Sequence, residues 1–354
     1  MPVSPTYQLS ILVPVYNSGE LLEPCLRSLA AQSVANMEIV CLDDGSTDGS
    51  GAVLDAWAAR DARFKVIHCP NGGYGKAMNT ALQAAQGTWV GIVEPDDEVE
   101  PTMYSHLLEL AAGTRAPIVK GSYTIVRGSS SHPAGKFAAL PPGTELTPEH
   151  AADYILGAAA IWSAIYRRDW LQEHGIRFQE TPGASFQDLG FAIRTWAAAP
   201  CICCTPAGAY HYREDNPNSS TRKLDSGAWA ALRELQALAD VYAGVSSAAM
   251  RHILVRRIFH TMQADYRLRI SCRIKEFLLG YSDLLRRHFP LHTLNAAAFS
   301  KREWHDLRLL YKAPRYFPRL CKGNLSVLQR IYSCRREGGR RVLRFCGFSF
   351  MLSR

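Results

Sequence analysis

Residues Thr88–Pro101 read Thr-Trp-Val-Gly-Ile-Val-Glu-Pro-Asp-Asp-Glu-Val-Glu-Pro. The apolar run Trp89–Val93 stops abruptly at Glu94, Asp96, Asp97 and Glu98. A buried strand that delivers adjacent carboxylates at its C-terminal end sets them where open α/β sheets bind ligands. Gathered carboxylates repel one another, and a hard divalent ion, Mg²⁺ or Mn²⁺, held by one or two of them plus substrate phosphate oxygens offsets that repulsion. A solvated acidic turn is the competing reading, and the flanking sequence decides between them.

Upstream, Leu9–Val15 is an apolar run that opens into Tyr16 and Asn17, and Met37–Leu42 is a second, ending in Asp43-Asp44-Gly45-Ser46-Thr47-Asp48. Phe64–His68 reads as a third strand, followed by the glycine-rich turn Pro70–Gly75. Helical spacing separates the strands: Leu22, Cys25, Leu26 and Leu29, then Val53, Leu54 and Trp57, then Lys76–Gln86 with Gly87 as its C′ glycine. Repeated strand–helix alternation predicts a mostly parallel sheet covered on both faces. Helix Met103–Ala112 and strand Pro117–Lys120 continue the pattern. Residues 128–148 read as a loop, Thr147-Pro148-Glu149 as a helix start, Ile161–Tyr166 as a strand and Asp188 to about Ala198 as a helix. His211–Arg222 is polar and loop-like, and from Ser226 onward the pattern is helical with no comparable strand.

The chain of 354 residues, 47% of them hydrophobic, buries a sizeable core. Its net charge of +8 is unevenly placed: residues 1–250 hold 17 Lys/Arg against 26 Asp/Glu, and residues 251–354 hold 23 against 6. An acidic-leaning body with a basic tail suits an anionic surface or polymer as partner. Cys201, Cys203 and Cys204 read as small hydrophobes in or beside a buried strand, and no Cys/His set resembles a zinc site. Met1–Ser10 lacks the pattern of a secretory leader, and no run reaches the roughly 18 apolar residues of a membrane span. The expectation is a cytoplasmic protein, with peripheral contact to the cytoplasmic face of a membrane through basic segments such as 335–354.

Several residues carry candidate chemistry. Asp43 and Asp44 follow a strand directly, so one of them accepts hydrogen bonds from a base or ribose, unless both serve an Asx turn. Asn71–Gly75 lets backbone approach a diphosphate, with Lys76 and a helix N-terminus adding positive potential. Asp188, at the start of an apolar-faced helix, is the candidate general base, although an aspartate there also suits the helix dipole. Residues 210–221 carry donors suited to diphosphate oxygens.

In chain order, Ile11-Leu12-Val13-Pro14-Val15-Tyr16-Asn17, Asp43–Asp48, Asn71-Gly72-Gly73, Glu94-Pro95-Asp96-Asp97 and Gln187-Asp188 closely resemble the inverting, nucleotide-sugar-dependent glycosyltransferases of family 2. The likeness covers roughly residues 7–222, including Trp162–Phe178, and is strongest to bacterial members that build capsular or lipopolysaccharide chains. It implies a GT-A fold (Rossmann-like, with a mostly parallel sheet flanked by helices) over residues 1–225, followed by a basic, mainly helical region at 226–354. It also implies transfer of a sugar from a nucleoside-diphosphate sugar, UDP being favoured, to a hydroxyl of a glycan or lipid-linked acceptor. Pro14, Tyr16, Asp44 and Asn71 fall around the nucleoside, Asp96 and Asp97 on the metal-holding Asp-x-Asp region, and Asp188 on the catalytic base. Three positions depart from the family pattern: Glu94-Pro95 for Asp-Ser, Met78 for an arginine, and Gln187 for a glutamate. Two other classes stay open, a metal-dependent nucleotidyltransferase and a nucleic-acid-binding protein acting through the basic tail, although no nucleic-acid motif accompanies that charge.

Overall fold

The computed structural model describes residues 7–135, 137–151, 157, 159–184, 186–216, 219 and 225–317, and as backbone alone 332–337, 340–345 and 348–352. The sheet is built around β1 (Tyr7–Val15), buried along its length from Leu9 onward. On one side of β1 lies β2 (Met37–Asp43) and then β3 (Phe64–His68); on the other lies β4 (Gly87–Ile92), all parallel. These strands are apolar on both faces because helices cover both. Helix α1 (Leu22–Ala30) follows β1 and takes Pro24 in its first turn, where proline forfeits no helical hydrogen bond. Helices α2 (Ser50–Arg60) and α3 (Tyr74–Ala84) make the crossovers to β3 and β4.

Register fixes what emerges where. Val15 pairs with Asp43, Asp43 with His68, and Leu12 with Ile92, so the C-terminal ends of all four strands reach one edge. The chain turns one way to β2 and β3 and returns on the other side to β4. The gap between the ends of β1 and β4 is therefore the topological switch point, the place where such sheets bind ligands.

After the two-residue strand β5 (Glu98–Val99) and helix α4 (Met103–Ala112), the sheet becomes mixed. Strands β6 (Ile118–Arg127), β7 (Ser130–Ala134) and β8 (Thr144–Leu146) lead to β9 (Ala164–Arg167), which runs antiparallel between β4 and β6. Strand β7, in a hairpin with β6, and strand β8, paired with the later strand at residues 202–204, lie inside 128–148, so that stretch is not a loop; they are short edge pairings whose Ser, Gly and Pro content hides them from a periodicity reading. Thr147–Glu149 forms a turn, and the helix expected from there runs into residues outside those described. Helix α5 (Arg168–Glu173) precedes α6 (Gln187–Ala198), and β10 (Ile202–Arg213) completes the sheet beside β6, with Cys203 and Cys204 buried in it.

Gly87 is not a C′ residue. It opens β4 in extended backbone, donating to Ser10 Oγ at 2.8 Å, and a Cβ there would lie 2.5 Å from Ser10 N. The same corner buries Glu38, which accepts from Ser10 Oγ, Lys65 Nζ and Gln86 N, each at 2.6 Å. Glu38→Ala leaves these donors without their acceptor, and chemical denaturation should show a loss of about 3 kcal/mol; an unchanged midpoint would rule out this corner as a stabilising element.

The region after Asp225 is helical through α7 (Ser226–Gln236), α8 (Ala239–Gly244), α9 (Ala248–Leu268), α10 (Ile274–His288) and α11 (Lys301–Lys312). Its end differs from the helical expectation: β11 (Tyr332–Glu337), β12 (Arg340–Phe345) and β13 (Phe348–Leu352) form a separate antiparallel sheet. Alternation such as Arg-Phe and Phe-Ser-Phe suits a strand as well as it suits a basic helix face. Among the described residues no helix is long and apolar enough to cross a membrane.

Candidate active site

The switch-point edge collects the candidates. Beyond β1, Tyr16 is exposed, and Asn17 sits at φ 49°, where its Oδ1 accepts from Thr47 N at 2.7 Å. This ties the loop after β1 to the loop after β2. Asp43 is buried, and its carboxylate accepts from Ser46 N at 2.9 Å and meets His68 Nδ1 at 2.9 Å. Burial pushes its pKa up, but the hydrogen bonds of Ser46 and His68 outweigh it and the net shift is downward.

Asp44 does something the sequence did not suggest. Its oxygens accept from Gly72 N at 2.7 Å and Gly73 N at 2.9 Å, while Asn71 Nδ2 reaches its main-chain oxygen at 3.0 Å. The two glycine amides are thus occupied by Asp44 and do not point at an open diphosphate site. The glycines serve close approach instead. A Cβ on Gly75 would lie 1.9 Å from Gln179 O, and one on Gly73, at φ 88°, 2.8 Å from Thr181 O. The turn is pressed against the segment leading to Asp188, and Tyr74 N donates to Gly183 O at 3.1 Å. Lys76 is exposed and folds back over Gly72, keeping its charge beside the turn.

At the end of β4 the carboxylates are held individually. Glu94 Oε1 accepts from Tyr74 Oη at 2.7 Å. Asp97 is buried, with Oδ1 accepting from Arg213 N and Oδ2 from Tyr210 Oη, both at 2.7 Å. Asp96 is half-buried; Oδ2 accepts from Asn216 Nδ2 at 2.7 Å, and among the described residues Oδ1 has no protein partner. Burial, then repulsion from Asp96, Asp97 and Asp188, pushes Glu94 to about 8 against the opposing Tyr74 bond. Asp97 reaches about 8 through burial and Asp96, against the Arg213 and Tyr210 bonds. Both shifts mark a corner short of positive charge. Arg213 contributes what cation there is, through Nη2 to Glu98 at 3.1 Å and Nε to Asp96 O at 3.3 Å. Tyr210 and Arg213 lie within β10, not in a loop, and act on the carboxylates.

No three His, Cys, Asp or Glu side chains among the described residues converge as a ready metal cage. The donor set still fits a hard cation of the Mg²⁺ or Mn²⁺ kind, which takes one or two carboxylates and completes its shell from substrate phosphates and water. Asp96 Oδ1 is the open ligand atom; both Asp97 oxygens already hold the loop to β10.

Asp188 stands in the first turn of α6, after Phe186 at φ 66°. Burial pushes its pKa up, opposed by the Leu189 amide and by the charges of Arg257 and Arg269. Its negative charge is also felt by Glu94 and Tyr74, which places Asp188 within electrostatic reach of the acidic corner. Gln187 Nε2 donates to Thr181 Oγ1 at 2.9 Å and Gly183 O at 3.1 Å, bracing the loop where the family carries a glutamate. Sequence reasoning missed Tyr74, Arg257 and Arg269, and it set Tyr210 among donors for a diphosphate, whereas its hydroxyl bonds Asp97 Oδ2 and Glu94 N. Arg257 lies within α9 and Arg269 directly follows it: Arg257 Nη1 donates to Gly157 O, and the Arg269 guanidinium lies 4.7 Å over the Phe186 ring. Glu234 of α7 seats its carboxylate against Gly190, where a Cβ would lie 1.8 Å from Oε1.

A carboxylate-ended parallel sheet with an antiparallel inner strand between β4 and β6 is a GT-A type of fold. Residues 10–175 match the family described as glycosyl transferase family 2. Over 220 residues the chain is 34% identical to the uncharacterized glycosyltransferase EpsJ of Bacillus subtilis (strain 168), covering 60% of this chain and 62% of EpsJ. It is 38% identical to glycosyltransferase GlyG of Streptococcus pneumoniae over 116 residues, 32% of this chain and 38% of GlyG. The chain thus spans less than two thirds of these relatives. The crystal structure of S. aureus TarS 1–349 in complex with UDP-GlcNAc superposes with a TM-score of 0.76 over 98% of this chain and 99% of that one, at 19% identity, a likeness of fold that includes the helical region.

Proposed function

We propose that the protein is an inverting, metal-dependent glycosyltransferase of cell-surface polysaccharide synthesis that moves a sugar from a nucleoside-diphosphate sugar, UDP first, to a hydroxyl of a glycan or lipid-linked acceptor. The observation that supports this reading is that Asp188, Asp96 and Asp97 all lie close enough to Glu94 for their charges to raise its pKa, so that one group can serve the acceptor while the others serve the leaving diphosphate. The TarS complex with UDP-GlcNAc supports the choice of donor class.

Asp188 takes the proton of the acceptor hydroxyl, whose oxygen forms a bond to the anomeric carbon from the face opposite the diphosphate. The bond from that carbon to the diphosphate oxygen breaks, its electron pair leaves with the diphosphate, and the configuration inverts. Asp96, with Glu94 beside it, would hold Mg²⁺ or Mn²⁺, which when bound neutralises charge on the leaving group. Asp97 fixes the corner from below. Pro14 and Tyr16 line the nucleoside side, and Asp43 with Asp44 and Asn71 shapes the loops around it. Lys76 adds positive potential near the diphosphate. Residues 1–225 form the catalytic unit in this reading, and 226–354 carry the supporting arginines and a basic surface suited to an anionic partner.

Calorimetry of the full chain with UDP, with and without Mn²⁺, tests the reading. The expected result is binding that Mn²⁺ strengthens by about tenfold or more, together with UDP as the product of turnover. Release of pyrophosphate would identify a nucleotidyltransferase instead, and no nucleotide binding under either condition would leave the family likeness as one of fold alone.

A further inference from the structure

Tyr210 and Tyr212 lie two residues apart in β10 and so project from the same face. Tyr210 is fully buried and committed, since its hydroxyl donates to Asp97 Oδ2 and accepts from Glu94 N at 3.1 Å. Tyr212 is half-buried, and among the described residues its hydroxyl makes no hydrogen bond.

The Tyr212 ring is nevertheless fixed. The indole of Trp162 lies parallel to it at 5.4 Å and 5°, stacks on Tyr210 at 4.1 Å and 22°, and takes the edge of Tyr123 at 4.8 Å and 84°. Trp162 in turn follows a pinned turn. Ala160 is held at φ 39°, and its carbonyl accepts from the buried ammonium of Lys120 at 2.5 Å, which also reaches Ser163 Oγ at 3.0 Å. Lys120, Trp162 and Tyr123 therefore spend packing and hydrogen bonds to orient a phenol that has no hydrogen-bond partner among the described residues. That phenol lies within electrostatic reach of Asp97, Asp96 and Asp188; burial and then these charges and Glu214 push it to about 12, so it stays protonated and neutral.

A rigid aromatic ring with a free, neutral hydroxyl between a diphosphate corner and a base has the chemistry of a pyranose contact. The ring covers the apolar C–H face of the sugar, and the hydroxyl donates to or accepts from a sugar hydroxyl. We infer that Tyr212, backed by Trp162, forms a wall of the subsite for the transferred sugar and contacts the pyranose rather than the nucleotide. This rests on the glycosyltransferase reading above.

The test compares UDP with UDP-GlcNAc and UDP-glucose by calorimetry on the full chain with Mn²⁺, in the wild type, Tyr212→Phe and Tyr212→Ala. The expected result is unchanged affinity for UDP in all three, with the extra affinity of a UDP-sugar over UDP reduced about threefold to tenfold in Tyr212→Phe and further in Tyr212→Ala. Tyr212→Phe keeps the stack on Trp162, so it stays informative if the alanine variant unfolds. UDP-sugar affinities equal to wild type in both variants, or an equal loss for UDP itself, would overturn the inference while leaving the donor site in place. A wild type that gains nothing from any sugar on UDP would overturn it too. A wild type that binds no UDP at all would instead remove the donor reading beneath it.

Discussion

Asp188→Asn is expected to lower turnover by about 10²–10⁴-fold, the usual contribution of a general base, while UDP affinity stays within about a factor of two of wild type. The asparagine is isosteric and keeps its place in the first turn of α6, so Gln187, Phe186 and the helix are not disturbed. What it loses is the ionised carboxylate, since an amide oxygen is far too weak a base to take the proton. Burial holds the wild-type carboxylate above the ordinary aspartate range against the pull of Arg257 and Arg269. A raised pKa makes a stronger base but also sets the pH below which it is protonated and idle. The acid limb of kcat/KM in the wild type should therefore lie above the pH at which an ordinary aspartate titrates, and activity should fall as pH drops through it. Removing the Arg257 charge should move that limb to higher pH, because the ionised form loses its support. Single-turnover rates and donor titrations separate these effects. An Asp188→Asn variant that retains most of its turnover would end the assignment of the base.

Much of this site could be read from the chain before its fold was known, and the limits have physical causes. Parallel strands buried on both faces are near-continuous apolar runs, so Leu9–Val15, Met37–Leu42 and Phe64–His68 stand out, and each opens into a loop at the switch-point edge of the sheet. Edge strands β7 and β8 carry no such signal. The glycine turn was legible as a place of close approach, but not what approaches: glycine permits either a phosphate or another backbone, and here the backbone is that of residues 179–183. Asp44 looked like a ligand because a carboxylate after a strand suits both a ribose and a pair of main-chain amides. The role of Tyr74, and the true partner of Tyr210 among the donors of residues 210–221, were hidden because Glu94 and Asp97 lie 20 and 113 residues away from them. The arginines from α9 were counted as tail charge, and only the packing of α7 and α9 against the start of α6 turns them into neighbours of the base.

Asp96→Ala and Asp97→Ala should fail in different ways, and the difference identifies the metal-binding group. Among the described residues Asp96 Oδ1 has no partner and Oδ2 accepts only from Asn216, so in this reading removing it deletes a metal ligand at the cost of that one side-chain bond. The expected result is a melting temperature close to wild type and loss of the Mn²⁺-dependent gain in UDP affinity, about tenfold to a hundredfold. Asp97 is 1% exposed and anchors the acidic loop to β10 through Tyr210 Oη and Arg213 N. Its removal leaves two donors without partners, at a cost of about 1–3 kcal/mol each where they stay buried, so Asp97→Ala should melt earlier whether or not metal is present. The raised pKa values of Glu94 and Asp97 add a sign that can be checked. A carboxylate whose folded pKa lies above its unfolded value contributes stability at low pH that is lost as pH rises, here from about 4 through about 8. Without metal, the protein should lose stability across that window. Mn²⁺ should restore more of it at pH 8 than at pH 6, because the cation binds the ionised corner and competes with protons for it. Thermal melts at both pH values, with and without Mn²⁺, read this directly. If Asp96→Ala keeps the full Mn²⁺ stabilisation at pH 8, the cation is held elsewhere and the acidic corner acts without it.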